Sequence, residues 1–147
     1  MKIRLANQWD TPRIKEMLWD YHDNLQMRGL KITQEESGER VIATILAGGG
    51  MALLSEKDNY VTGMLLALTV PFIWDQTQLV MSEIALWVDP EYRRGRAGYM
   101  LLKEYTDRCE DLRQQGRLVN YTISQMEGQN FDYSRFGYKP IEHTWSL

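Results

Sequence analysis

Residues 89–102 read "DPEYRRGRAGYMLL", and this stretch decides how the rest of the chain is understood. It sets three arginines and two glycines between an apolar run, "LVMSEIALWV" at 79–88, and a segment whose apolar residues recur at helical spacing. Glycine lets the backbone bend freely and lets a ligand approach its amides. Arginines at a helix start face the positive end of the helix dipole, which costs stability unless an anion is present. A strand passing through such a turn into a helix leaves free amides aimed at one spot, which suits pyrophosphate. No Gly-Lys-Ser/Thr follows and the three-glycine dinucleotide spacing is missing, so the stretch is neither a P-loop nor a dinucleotide fingerprint.

The flanking sequence supplies the rest of a mixed α/β pattern. Upstream, "MKIRLAN" alternates as a short strand. Asp10 is expected to cap a helix with Pro12 in its first turn and Ile14, Met17, Leu18, Tyr21 and Leu25 on one face. Thr33 and Glu36 have the spacing of a capping box before a second helix carrying Val41, Ile42, Ile45 and Leu46. Glycines 48–50 stop it. Residues 51–70 read as a hairpin turning at 57–59, its second strand apolar on both faces. Pro71 is expected to end or bend that strand. The following "FIW" is an apolar lip that could wall a substrate, meet a partner or be buried.

Downstream of the loop, Leu101, Tyr105, Cys109 and Leu112 mark a helix ending at Gly116. "RLVNYTI" is expected as a strand, "NFDYSRF" as a short helix and "PIEHTWSL" as a closing strand. The order β-α-α-β-β-β-α-β-α-β implies a mixed sheet covered by helices, a single domain over residues 1–147.

Composition narrows the functions open to such a domain. The 147 residues are 44% hydrophobic and 25% charged, as globular chains are, and long enough to bury a core. A net charge of -3 argues against nucleic acid as the main partner. The single cysteine excludes an internal disulfide, and two histidines far apart in sequence give a metal centre little to work with. No signal peptide and no membrane-length apolar run is visible, so the expectation is a cytoplasmic protein without a membrane partner.

The stretch "LWVDPEYRRGRAGYMLL" resembles motif A of the GNAT superfamily, the acetyl-CoA-dependent N-acetyltransferases. That motif runs V-x-P-x-x-R-G-x-G-x-G-x-x-L. Val88, Pro90, Arg93, Gly98, Leu101 and Leu102 fall on it without a gap. The departure is in the middle, where Arg94 and Arg96 replace glycines and Gly95 stands between them. This spelling is similar to GNAT members encoded by bacteriophages and prophages. A second stretch, "YSRFGYKPIEHTW", resembles the Y-x-x-x-G-F/Y signature near the family's C-terminus, with Tyr133, Gly137 and Tyr138 in register. The asparagine that often precedes that helix is replaced by Met126, and Asn130 is its candidate substitute.

The resemblance implies a mixed, mostly antiparallel central sheet flanked by helices on both faces. It implies acetyl-CoA as co-substrate, no metal, an amine acceptor, and it allows a homodimer. Backbone amides of Arg93, Arg94, Gly95, Arg96, Ala97, Gly98 and Tyr99 would hold the pyrophosphate. The strand residues Leu86, Trp87 and Val88 would pair with the pantetheine arm, and an amide such as that of Val88 would polarise the thioester. Tyr133 falls on the family's general-acid tyrosine. Glu83, an acid inside an apolar strand, is the candidate base, because burial raises a carboxyl pKa toward neutrality. His143 and Glu142 are reserves for that role. The alternative is a GNAT-shaped binding module without turnover, since the bulk of Arg94 and Arg96 would alter how the coenzyme sits.

Overall fold

A computed structural model describes residues 1–24, 31–126 and 131–145; Leu25 and Asn130 lie outside the described residues. Its elements are β1 (Lys2–Leu5), α1 (Thr11–Asp23), α2 (Glu36–Thr44), β2 (Gly50–Lys57), β3 (Tyr60–Phe72), β4 (Asp75–Val88), α3 (Ala97–Gln114) and β5 (Asn120–Thr122). The five strands form one sheet in sequence order, antiparallel throughout except for the parallel pair β4–β5. Parallel neighbours need a crossover, and α3 supplies it. Among the described residues, no helix is long and apolar enough to cross a membrane.

Apolar alternation sorts the core into two layers. Met64 and Leu66 of β3 join Ile14 and Met17 of α1 and Ile42 of α2 on one face of the sheet. Leu65 and Ala67 join Leu101, Leu102, Tyr105 and Cys109 of α3 on the other. Helices therefore cover both faces, and β3 is apolar on both sides as its sequence implies. The β2–β3 turn follows from its residues: Asp58 (φ 52°) and Asn59 (φ 64°) occupy the left-handed region that a tight hairpin turn requires.

Local capping differs from expectation at both early helices. Asp10 does not cap α1. Its carboxylate accepts two bonds from Arg4, both at 2.8 Å, which holds its pKa below the usual carboxylate range. Asn7 instead caps a single 3-10 turn, Gln8–Asp10, that leads into α1. The Thr33–Glu36 box does not form either, and α2 starts after Glu35 without a side-chain cap. An arginine on the adjacent strand competes for Asp10, a tertiary effect that local spacing does not carry. The glycine stop does form, with Gly48 at φ +100°.

Two regions depart further. Pro71 does not end β3, where it sits opposite Leu79, but the pairing breaks register directly after it: Phe72 faces Asp75, and residues 76–78 of β4 are left over. The Leu79 carbonyl accepts the Val119 N–H, so the Pro71–Leu79 pair is not hydrogen-bonded, and the missing proline N–H falls on a free edge. Past Leu68, the last β3 residue paired with β2, β3 keeps β4 beside it and β4 keeps β5 as far as Leu79, so only residues 72–78 project beyond their neighbours. At the other end of the chain, residues 140–145 form no strand, correcting the expected closing strand. The strand expected over 117–123 contracts to Asn120–Thr122, leaving a short sheet edge, and Ile141 and Trp145 stand 74% and 91% exposed. The helix expected over 130–136 is one 3-10 turn, Tyr133–Phe136.

The decisive feature for function is where the sheet opens. β5 pairs with β4 only at Val80, Met81 and Ser82. From Glu83 onward β4 has β3 on one side and, among the described residues, no strand on the other. At the same point β4 bulges: Ala67 faces Glu83 and Leu66 faces Ala85, so Ile84 is the extra residue. Ile84 and Ala85 consequently both pack toward the α1/α2 face.

Candidate active site

The open edge presents backbone groups in a fixed pattern. Asp89 N–H bonds the Thr62 carbonyl at 2.9 Å, so ladder alternation turns Trp87 toward β3 and the amides of Leu86 and Val88 outward, into the gap. The half-buried side chains of Leu86 and Val88 pack on the α3 side, and the indole of Trp87 is buried on the α1/α2 side.

Asp89 anchors the start of the loop. Its carboxylate pairs with Arg13 of α1 and accepts the Trp87 indole N–H at 3.0 Å, and the Tyr60 hydroxyl lies at 3.4 Å. Arg13 also donates to the Val61 carbonyl at 2.9 Å. Sequence reasoning gave neither residue a role, because the two stand 76 positions apart and only the fold joins them.

Beyond Asp89 the chain makes one 3-10 turn, Pro90–Tyr92, then a tight turn through Arg93, Arg94, Gly95 and Arg96 before α3. Arg93 is strapped down: its Nε donates to the Val88 carbonyl at 2.7 Å and its guanidinium lies 4.5 Å from the Trp87 ring centre. Arg96 lies over Tyr99, 5.2 Å from the ring centre, while Arg94 is exposed. Ala97 is buried and starts α3, and no side chain caps that helix among the described residues. Its first amides are thus left for another acceptor.

The glycines here are not demanded by the backbone. Neither Gly95 nor Gly98 has a positive φ. A Cβ on Gly98 would meet only Val88 Cγ2 at 4.0 Å, and one on Gly95 the Tyr92 carbonyl at 3.5 Å. Both are ordinary contacts. The fold tolerates a side chain at each position, so packing alone does not call for glycine there.

Glu83 lies at the head of the gap, 7% exposed. Burial raises its pKa to about 7, offset in part by the Ser124 N–H that its carboxylate accepts. Such a carboxyl is half ionised near neutrality, where a general base is most effective. Tyr133 belongs to the C-terminal 3-10 turn, which is seated on α3 by the rings of Tyr99 and Phe136 at 5.3 Å and by a 2.7 Å hydrogen bond between the Thr106 and Tyr138 hydroxyls; its own ring meets Phe131 at 5.1 Å and Tyr138 edge-on at 6.5 Å. Burial, then the charges of Glu83 and Tyr21, push the Tyr133 phenol up to about 12, so it keeps its proton through neutral pH.

Tyr21 was expected only as part of the apolar face of α1. Its ring packs there, yet its phenol is raised by burial and by the charge of Glu83. It approaches from the α1 side, whereas Tyr133 packs on the α3 side. The two tyrosines feel each other and Glu83 because β4 and β5 have parted between them. The reserve candidates Glu142 and His143 are exposed on the strandless segment, apart from this cluster. Among the described residues, no group of three His, Cys, Asp or Glu side chains could hold a metal ion.

The fold that opens the sheet at β4–β5 is found in solved acetyltransferase structures, three of which illustrate the likeness. A predicted acetyltransferase with acetyl-CoA from Clostridium acetobutylicum superposes with a TM-score of 0.74 at 11% identity, over 99% of this chain and 94% of that one. The ribosomal-protein-alanine N-acetyltransferase of Brucella melitensis gives 0.68 at 12% identity, over 100% and 99%. An aminoglycoside acetyltransferase from an uncultured soil metagenomic sample, in complex with sisomicin, gives 0.66 at 13% identity, over 99% and 95%. At these identities the likeness establishes the fold. No curated protein sequence matches the chain. Residues 11–138 match the Acetyltransferase (GNAT) family, and the chain belongs to it. Acetyl transfer from acetyl-CoA is the activity that membership implies.

Proposed function

We propose that this chain is a cytoplasmic N-acetyltransferase that moves acetyl from acetyl-CoA to the primary amine of a small molecule, peptide or protein by direct attack. The observation that carries the proposal is Glu83: an acid buried at the head of an open sheet edge, its pKa pushed up to about 7 by that burial, with its charge felt by the Tyr133 phenol.

The pyrophosphate binds the amides of residues 94–99, with Arg94 and Arg96 adding charge from outside the loop. Both arginines are exposed and Arg96 lies over Tyr99, so their bulk does not fill the loop. That supports turnover over the inactive-module reading. The pantetheine arm pairs with the outward groups of Leu86 and Val88, and the Val88 amide donates to the oxyanion. The Glu83 carboxylate takes a proton from the acceptor ammonium, directly or through water. The free amine attacks the thioester carbon, a C–N bond forms, and the C–S bond breaks. Tyr133 gives its proton to the departing thiolate and is restored by the second proton, which leaves the attacking nitrogen as the amide forms, while the proton on Glu83 passes to solvent.

The test is release of free CoA from acetyl-CoA when purified protein is offered a mixed panel of amines. Amine-dependent thiol release is expected. CoA binding without release against any amine would favour the binding module instead.

A further inference from the structure

The structure divides the three arginines of the β4–α3 loop. Arg96 lies over Tyr99 of α3 and Arg94 is exposed, so both belong to the side of the loop that leads into the helix amides. Arg93 turns back. Among the described residues its contacts run to consecutive residues of β4, the Trp87 ring and the Val88 carbonyl. Trp87 packs in the α1/α2 layer, whereas α3 packs on the opposite face of the sheet. The guanidinium is therefore drawn away from the helix start, and one of the loop's cations serves the strand.

That cation closes one position of the open edge. Ladder alternation turns the N–H and C=O groups of both Leu86 and Val88 outward. The Nε of Arg93 donates to the Val88 carbonyl at 2.7 Å, so this acceptor is taken. A pantetheine arm is left the Leu86 groups and the Val88 N–H. Val88 is the last residue of β4, so the loss of its carbonyl sets where pairing stops. A slip by one ladder step moves the arm two residues, about 7 Å. That is far more than a thioester can shift and still meet its acceptor.

Arg93 also holds Val88 still. The Trp87 ring against which the guanidinium lies is fixed by its N–H bond to Asp89 at 3.0 Å, and Arg13 holds Asp89 in turn. The Val88–Asp89 peptide is pinned on both sides, its carbonyl by Arg93 and its N–H by the Thr62 carbonyl at 2.9 Å. A donor to an oxyanion works best when it need not reorganise during the reaction. We propose that Arg93 is a positioning residue acting through Val88: it stops the coenzyme arm at the strand end and steadies the Val88 amide, rather than pairing with the coenzyme's phosphates. This rests on the acetyltransferase reading above and on its pairing of the arm with β4.

Two substitutions separate these roles. Arg93→Gln sets an N–H donor as many bonds from Cα as the arginine Nε, without the charge. Arg93→Met keeps comparable length and loses both donor and charge. Binding is read by calorimetry with CoA and with adenosine 3′-phosphate 5′-diphosphate, which carries the coenzyme's phosphates without its arm. Arg93→Met should bind CoA about tenfold more weakly and the adenosine ligand as wild type does. With an amine that supports thiol release, its kcat at saturating acetyl-CoA should fall about 100-fold. Arg93→Gln should keep wild-type values throughout. Equal weakening of both ligands in both variants would make Arg93 a phosphate ligand and overturn the proposal. So would an Arg93→Met protein that matches wild type, or an Arg93→Gln protein that falls as far as Arg93→Met. The binding comparison needs no acceptor, so a protein without turnover would count against the acetyltransferase reading and not against Arg93. A wild type that binds neither ligand would overturn both.

Discussion

Two turns meet at one end of the sheet, and they contrast in what explains them. The β2–β3 turn touches the β4–α3 loop, with the Tyr60 ring 6.2 Å from Tyr92 and its hydroxyl near Asp89. In the first turn the fold explains its residues: Asp58 and Asn59 tolerate the left-handed backbone that the hairpin imposes. In the second, the glycines take no conformation that needs them, α3 is uncapped, and exposed arginines crowd a positive helix end. Residues without a structural reason, next to a turn where structure accounts for the sequence, point to a ligand. The same contrast runs along β4, sealed by β3 on one edge and open on the other beyond Ser82, where Glu83 stands.

Substitutions on the open side should act on chemistry, and those on the sealed side on stability alone. The largest effect is expected from Tyr133→Phe. The ring still packs, CoA affinity holds, and kcat falls about 10²- to 10⁴-fold, read by steady-state thiol release. A wild-type rate would return Tyr133 to a packing role.

Next is Asp89→Ala, which removes one side of a largely buried ion pair and leaves Arg13 with only the Val61 carbonyl and the exposed Glu16 as partners. Urea unfolding should show a loss of about 3 kcal/mol, with CoA binding weakened because the loop loses its anchor. Unchanged stability would mean that Asp89 does not join the two turns energetically.

Glu83→Gln should separate chemistry from stability within one residue. In the wild type, kcat/KM should rise with pH through about 7, and in the variant that ionisation should vanish with about 100-fold lower activity at pH 8. Stability should move the other way. The folded pKa of about 7 lies above the ordinary 4.5, so the folded state binds the extra proton between those values. Wild-type stability is therefore fully present below about 4.5 and falls as pH rises through 7. The glutamine variant lacks that penalty and should melt several degrees higher than wild type at pH 8, with no advantage at pH 4. A variant that is less stable at both pH values, or a profile that keeps its ionisation, would remove Glu83 as the base.

The smallest effect belongs to the sealed turn. Asn59→Ala, at φ 64°, should cost about 1 kcal/mol of stability and leave CoA affinity and turnover unchanged.

What could be read from the sequence follows the same division. The turn at Asp58 and Asn59, the apolar faces of β3 and the glycine stop at Gly48 are local signals, and each appears where the residues put it. Glu83 was visible because one acid interrupts an apolar run. The Arg13–Asp89 pair was not, because nothing local links a helix residue to a loop residue across the fold. Tyr21 looked like one more apolar position, and only the opening of the sheet brings its hydroxyl side toward Glu83. The closing strand failed for a related reason: alternation in "PIEHTWSL" describes a strand only if an edge receives it, and β5 offers three residues.

The central claim is that the β4–α3 loop is shaped for a ligand rather than for the fold. Calorimetric titration of CoA into wild type and Gly98→Val tests it most directly. A Cβ at this position meets nothing closer than 4.0 Å, so the variant should fold and melt like wild type. Its branched side chain should nonetheless block approach to the amides and weaken CoA binding by about tenfold or more, the loss of roughly one charge-assisted hydrogen bond. Equal affinity in the two proteins would contradict the account and move the coenzyme elsewhere.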